Sequence, residues 1–244
     1  MTETKPTKDT AKIFRIIGLV VVGVLFLAVI IGAIISSSDT SHDSKVWDSR
    51  TTIGNMDAKN YYIMYTDMAC PYCSVFSREI MNHQEEFERD YIKGQDILFE
   101  VRVTDYLYEY GEKSIGMSRW GATGTYCATQ KDKFWDYYHQ ALKSLWEDYH
   151  SKGIGVSKTS PQIQDMTEDY WVEIGKAVGM DGDELASCMD SDETITAIEE
   201  NTAKALKESE GMPSFAFGKF KTSGFNDTWG WDYVKKYLNA GLKK

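Results

Sequence analysis

The most constraining stretch of the chain is Cys70-Pro71-Tyr72-Cys73 together with its flanks. An aromatic, β-prone run, Tyr61-Tyr62-Ile63-Met64-Tyr65, leads into it. Behind it, Val75, Phe76, Ile80 and Phe87 fall near one helical face. Strand, tight turn, C-x-x-C and helix is the layout of a thiol–disulfide redox site. The layout has a chemical reason. A cysteine at a helix start meets unpaired backbone N–H groups and the positive end of the macrodipole, which favour an anion. The thiolate is the nucleophile of disulfide exchange. Pro71 suits the first helical turn because it has no N–H to lose there. The spacing lets Cys73 reach the Cys70 sulfur and resolve a mixed disulfide. Taken alone, the pair also fits half of a zinc site. That reading needs Cys127 and Cys188 as single, distant ligands, whereas structural zinc sites usually show a second close pair. No metal site is assigned.

A second signal lies downstream. Glu210-Gly211-Met212-Pro213-Ser214-Phe215-Ala216-Phe217-Gly218 reads as a turn and then a short apolar strand. The Met212–Pro213 bond is a candidate cis bond. The plainer alternative is a proline that opens a strand.

Asp67-Met68-Ala69-Cys70-Pro71-Tyr72-Cys73, taken with Gly211-Met212-Pro213-Ser214-Phe215, resembles the DsbA-like thioredoxin-fold family of bacterial thiol–disulfide oxidoreductases. The resemblance covers residues 46–244. It implies an α/β fold, a thioredoxin-like core carrying an inserted helical domain at about 112–209. It also implies Cys70 as nucleophile, Cys73 as resolving cysteine and Pro213 as a cis-proline facing them. Met212 then presents its backbone to a bound substrate strand, and Pro71 and Tyr72 tune the acidity of Cys70. No cofactor is implied. Many relatives carry a buried Glu six residues before the first cysteine as a proton acceptor; Met64 stands there in this chain. Asp67 is closer, but it lies in the turn, where solvent is expected to reach it. It is the remaining candidate proton carrier.

The N-terminal region suggests where such chemistry takes place. Residues 1–15 are polar and carry Lys5, Lys8, Lys12 and Arg15. Ile16 to Ile35 is an uncharged apolar run, long enough to cross a hydrocarbon core of about 30 Å. The positive-inside rule makes the N-terminus cytoplasmic and the remainder exported. A cleaved signal peptide is the rival; it normally has a shorter apolar core and an A-x-A-like site, which Ser36-Ser37-Ser38 matches poorly. The expectation is therefore an uncleaved single-pass signal anchor, a polar linker over 36–45 and an extracytoplasmic domain. The net charge of −10 argues against nucleic acid as a partner.

Along the domain, residues 46–53 read as a first strand. Asp96–Val103 reads as another, joined to the Tyr61 strand by a right-handed crossover that makes the two parallel. The C-x-x-C then falls at a strand's carboxyl end, where α/β sheets place their chemistry. Helices are expected over Ser114–Gln130, Thr167–Val178, Asp181–Cys188 and Asp192–Glu208. Trp135, Tyr138, Leu142, Leu145 and Tyr149 form a helical stripe read as core rather than as a substrate groove. Strands at Ser214–Phe217 and about Phe220–Phe225 and a helix over Trp231–Leu242 complete the fold.

Cys127 and Cys188 both fall in the helical block. Two buried free thiols would pack well. Outside the cytoplasm an oxidised pair is favoured, and some DsbA-like relatives carry such a bridge, so a structural disulfide is expected. The functional expectation is a disulfide oxidase acting on reduced exported proteins. The resemblance implies a membrane reoxidising partner of the quinone-linked type. A reductase or isomerase of the same fold is the nearest alternative. A metal-binding C-x-x-C chaperone is the alternative of another class, for which His83, on the helix after Cys73, is a poor third ligand.

Overall fold

The computed structural model describes residues 46–242 apart from 111–115, 157–158, 164–165, 210, 218–219 and 224–229. The expected N-terminal segment, anchor and linker, residues 1–45, lie outside the described residues. No described helix is long and apolar enough to cross a membrane.

Among the described residues five strands form one sheet: β1 (Thr52–Ile53), β2 (Asn60–Thr66), β3 (Ile97–Val103), β4 (Ser214–Phe217) and β5 (Phe220–Ser223), in the spatial order β1-β3-β2-β4-β5. β2 and β3 are parallel and in register from Asn60↔Ile97 to Thr66↔Val103. The other pairs are antiparallel. β3 is buried along almost its whole length, the charged Glu100 and Arg102 included.

The expected first strand is much shorter than residues 46–53. Asp48 caps a single 3-10 turn, Ser49–Thr51, by accepting the Arg50 backbone N–H. The backbone N–H groups of Trp47 and Asp48 donate to Glu100 Oε1 at 2.7 and 3.3 Å. A buried side chain thus takes the hydrogen bonds that a sheet partner would have taken, and only Thr52 and Ile53 pair with β3.

After β2 the chain enters α1 (Pro71–Asn82), turns at His83, and continues through α2 (Gln84–Phe87) and a wider π-type turn, Glu88–Lys93. Phe87 is buried as expected, but from this second element rather than from α1. A short helix the sequence reading missed, α3 (Tyr106–Tyr110), follows β3. The inserted block holds α4 (Gly116–Gln130), α5 (Phe134–Asp148), α6 (Glu168–Ala177), α7 (Gly182–Met189) and α8 (Asp192–Glu208). Asp181 and Ser191 cap α7 and α8 through Glu184 N and Thr194 N, so these boundaries were written in the sequence. The chain closes with α9 (Trp231–Leu242).

Tyr138, Leu142 and Leu145 are fully buried, with Trp135 and Tyr149 packed at the margin, so the α5 stripe is core. The small residues of α4 allow close approach: a Cβ on Gly121 would lie 2.6 Å from Met68 Cβ, in the turn before the C-x-x-C. The block therefore presses directly on the site.

Two covalent or ionic ties fasten this arrangement. Cys127 in α4 is bonded to Cys188 in α7, with Cα atoms 6.1 Å apart. The zinc reading fails on this bond, because its two distant ligands are spent on each other. Arg102 in β3 is buried between Glu100 at 2.8 Å and Glu208 at 3.1 Å. The Tyr61 and Tyr65 hydroxyls join the same cluster, and the Trp47 ring lies 4.2 Å from the guanidinium.

The bridge closes a sequence separation of 61 residues. Replacing both cysteines by alanine is expected to lower the unfolding free energy by about 4 kcal/mol, or the melting temperature by about 10 °C. Thermal melts of the two proteins decide this, and a shift below about 2 °C would remove the bridge from the list of stabilising ties.

Candidate active site

The site is assembled where β2 ends. Asp67 folds the turn: its backbone carbonyl accepts from Cys70 N at 3.0 Å, and its Oδ1 accepts from Ala69 N at 2.7 Å. Such an Asx turn is a local device of Asp and Asn. It delivers Cys70 to the N-cap of α1 in an extended conformation, with Pro71 in the first turn. The Cys70 Sγ then does the work of a capping oxygen, accepting the Cys73 backbone N–H at 3.3 Å.

From the other side, the Met212–Pro213 bond is cis, and the Met212 carbonyl lies 3.7 Å from Cys70 Sγ as an acceptor. The structure thus brings together all the residues the sequence placed at the centre. Cys70, Cys73 and Pro213 are buried, and Pro71, Tyr72 and Met212 are half-buried around them. Both active-site cysteines are free thiols. Burial pushes the Cys73 thiol well up, and the hydrogen bond and charge of Cys70 push it further. The Asp67 backbone hydrogen bond acts in the opposite sense. Cys73 therefore needs a proton whenever its sulfur is released.

Asp67 departs from expectation. It is completely buried rather than solvated. Its Oδ2 accepts from the Leu107 backbone N–H at 2.8 Å and from the Ser118 hydroxyl at 2.7 Å. These donors come from α3 and α4, far along the chain, so the turn's solvation could not be read locally. Burial is the largest influence on its acidity and pushes the carboxyl up to about 6, against its three hydrogen bonds; the charge of Asp105 adds to the rise. Asp105 is itself buried, 2.6 Å from Arg119 Nε and 2.5 Å from Thr202 Oγ1.

Met64 is buried beneath α1 with its sulfur 4.0 Å from Ser77 Oγ. Ser77 and Tyr138, whose oxygens lie 2.7 Å apart, also belong to this region. Neither was singled out from the sequence as a site residue. Their positions were legible as buried helical faces, but the contact between their hydroxyls was not.

A free cysteine capping a helix, a second cysteine buried one turn on, and a cis-proline loop against the first define a thioredoxin-type dithiol site. The thioredoxin family pattern matches residues 48–224, and the chain belongs to that family. Its fold is that of the DsbA-like thiol–disulfide oxidoreductases. The oxidised BdbD of Bacillus subtilis superposes with a TM-score of 0.58 at 18% identity, over 80% of this chain and 93% of that one. Alpha-DsbA1 of Wolbachia pipientis gives 0.55 at 13%, over 84% and 96%. The catalytic domain of Proteus mirabilis ScsC gives 0.53 at 16%, over 84% and 96%. No curated protein sequence matches the chain.

The burial of Asp67 makes a testable statement. Its carboxyl is expected to titrate near pH 6 rather than near the ordinary 3.8, as followed by carboxyl carbon chemical shift. The folded state then holds a proton between those two values that the unfolded chain has released. Stability contributed by this group is complete below about pH 4 and is lost as pH rises through about 6. That slope should vanish in Asp67→Asn. A midpoint near 4 in the folded protein would contradict the burial argument.

Proposed function

We propose that the protein is an extracytoplasmic, membrane-anchored disulfide oxidase that uses the Cys70–Cys73 pair. The observation that carries the reading is the placement of Cys70. Its sulfur sits at the N-cap of α1, against the Cys73 N–H on one side and the Met212 carbonyl on the other.

In the oxidising direction a substrate thiolate attacks Cys70 of the oxidised pair. The Cys70–Cys73 bond breaks, its electron pair passes to the Cys73 sulfur, and that sulfur takes up a proton. A second substrate thiolate then attacks the substrate sulfur of the mixed disulfide. The product disulfide forms and Cys70 leaves as thiolate. Two electrons have moved from substrate to enzyme. Asp67, buried beside Cys73, is the proposed local proton holder. Met212 presents backbone to the incoming substrate strand, while Pro71 and Tyr72 border the nucleophile. The reduced pair is returned to the disulfide by a membrane partner of the quinone-linked type.

Export is supported by the uncharged run 16–35 behind a basic N-terminus. The Cys127–Cys188 bridge supports it independently, because structural disulfides persist in oxidising compartments. The oxidase direction draws on that compartment and on the DsbA-like insertion.

Equilibration of the full-length protein with glutathione buffers is expected to give a midpoint above roughly −200 mV. A midpoint near the roughly −270 mV of thioredoxin would instead make the protein a reductase. Cys73→Ser should accumulate mixed disulfides on Cys70 with disulfide-bearing substrate proteins, the Cys70 thiolate displacing one substrate thiol, seen as reductant-sensitive complexes, and Cys70→Ser should accumulate none. Equal trapping by both variants would reverse or abolish the assigned roles.

A further inference from the structure

The exchange reading gives the Cys73 proton to Asp67, and Asp67 holds it only as its own partners allow. The Asp67 backbone hydrogen-bonds the Cys73 sulfur, and the Asp67 charge bears on that sulfur. Two of the three hydrogen bonds to the carboxylate come from outside the turn, from the Leu107 N–H at 2.8 Å and the Ser118 hydroxyl at 2.7 Å. Leu107 belongs to α3, a helix of five residues, too short to persist without tertiary support. Whatever fixes α3 therefore bears on the acidity of Asp67.

That support converges on Arg119, the residue after Ser118 on α4. Its side chain is 10% exposed, and its guanidinium meets three carboxylates. Nε lies 2.6 Å from Oδ2 of Asp105, the residue just before α3. One terminal nitrogen donates to Glu109 on α3 at 2.9 Å, and the other to Glu199 on α8 at 3.2 Å. The guanidinium carbon also sits 4.3 Å from the centre of the Tyr108 ring on α3. Asp105, Tyr108 and Glu109 flank Leu107 in the chain, and all three rest on this one side chain. Two further ties meet at the same joint. The Tyr108 N–H donates to the Ser118 hydroxyl at 3.3 Å. The Asp105 N–H donates to Thr202 Oγ1 of α8 at 3.1 Å, and that hydroxyl donates to Asp105 Oδ1 at 2.5 Å. A planar, always charged fork serves several carboxylates at once, which a lysine ammonium on a flexible stem does less well.

We propose that Arg119 is a positioning residue for the exchange reaction: by clamping α3 to α4 it keeps the Leu107 N–H and the Ser118 hydroxyl on the Asp67 carboxylate. It also neutralises Asp105, the buried charge that pushes against Asp67. The proposal deepens the exchange reading and rests on Asp67 as its proton holder. In the closing step Cys73 gives its proton to the Asp67 carboxylate, its sulfur bonds the Cys70 sulfur, and the thiol held on Cys70 leaves as thiolate. Opening runs in reverse, with the proton returned to the Cys73 sulfur. Both effects of Arg119 favour the ionised carboxylate, so its loss leaves Asp67 protonated up to a higher pH. The charged and titratable groups in this balance are Asp105 from the start of α3, Arg119 from α4 and Cys73 from α1. Glu109 and Glu199 enter it through Arg119.

The test treats the full-length protein, its Cys70–Cys73 pair reduced, with the aromatic disulfide dithionitrobenzoate. The reagent's coloured thiolate is released once when Cys70 attacks it and again when Cys73 displaces it from Cys70. In the wild type the second release should rise with pH and level off above about 6, the Asp67 midpoint. Arg119→Gln should move that plateau, and the Asp67 carboxyl titration followed by carbon chemical shift, upward by about one pH unit. The second release at pH 5 then slows about tenfold while the first is spared. Arg119→Lys keeps a cation without the fork. It should shift both readouts in the same direction by less, and it carries the test if Arg119→Gln does not fold. In Asp67→Asn the plateau should be gone, and adding Arg119→Gln should change nothing further. Unmoved midpoints in a folded Arg119 variant, an Arg119 effect that persists in Asp67→Asn, or a plateau that survives Asp67→Asn would each overturn the clamp and leave the exchange reading intact. A wild type that never gives the second release would sink the exchange reading itself.

Discussion

A buried carboxylate is tolerated only where hydrogen-bond donors replace its lost water. Asp67 meets that condition with one donor from its own turn, one from α3 and one from α4. The same residue shapes the turn that sets Cys70 at the head of α1. The geometry of the nucleophile and the docking of the helical insert therefore share one side chain. A thioredoxin core without the insert would leave this carboxylate short of the Ser118 donor. The insert, without Asp67, would lose its polar anchor beside the site. The close approach of Gly121 to Met68 adds an apolar seam next to the same joint.

The elements that follow local rules were readable in advance. Tyr61 to Tyr65 forms the central strand, Asp181 and Ser191 cap their helices, and Trp231 to Leu242 is helical as its pattern indicates. Cys70, Cys73, Met212 and Pro213 meet where the resemblance implied. What stayed hidden depends on contacts between distant residues. Glu100 and Arg102 look like alternating surface charges within β3, yet both are buried because Glu208, Tyr61, Tyr65 and Trp47 close over them. That closure also shortened the first strand. Asp67 looked solvated because its partners lie 40 and 51 positions away. Tyr138 was placed in the core by its spacing, but spacing says nothing of where its hydroxyl points.

The buried ion cluster reaches the site by a second line. Glu208 is the last residue of α8, and the chain runs on from it through Ser209 to the loop that carries Met212. Tyr65 lies on β2, just before the Asp67 turn, and its hydroxyl bonds Glu208. The two strands of the site, the one before Cys70 and the one after Pro213, also pair directly at Tyr65↔Ser214. The Cys70 side and the cis-proline side are thus referenced to one another by both backbone and charge. Breaking one partner of such a cluster leaves a buried charge uncompensated, at a cost of about 3–5 kcal/mol.

The latch between Trp47 and Glu100 has a mechanical consequence. The backbone N–H groups of Trp47 and Asp48 hang on a carboxylate rooted in β3, and β1 adds only two residues of pairing beyond them. A pull on the chain upstream of Trp47 would be met first by these few bonds at the edge of the sheet. The β2–β4 seam that holds Cys70 opposite Pro213 lies on the other side of β3. Force would peel the edge before it disturbed the dithiol, so the domain can be tugged at its N-terminal side and keep its chemistry in place.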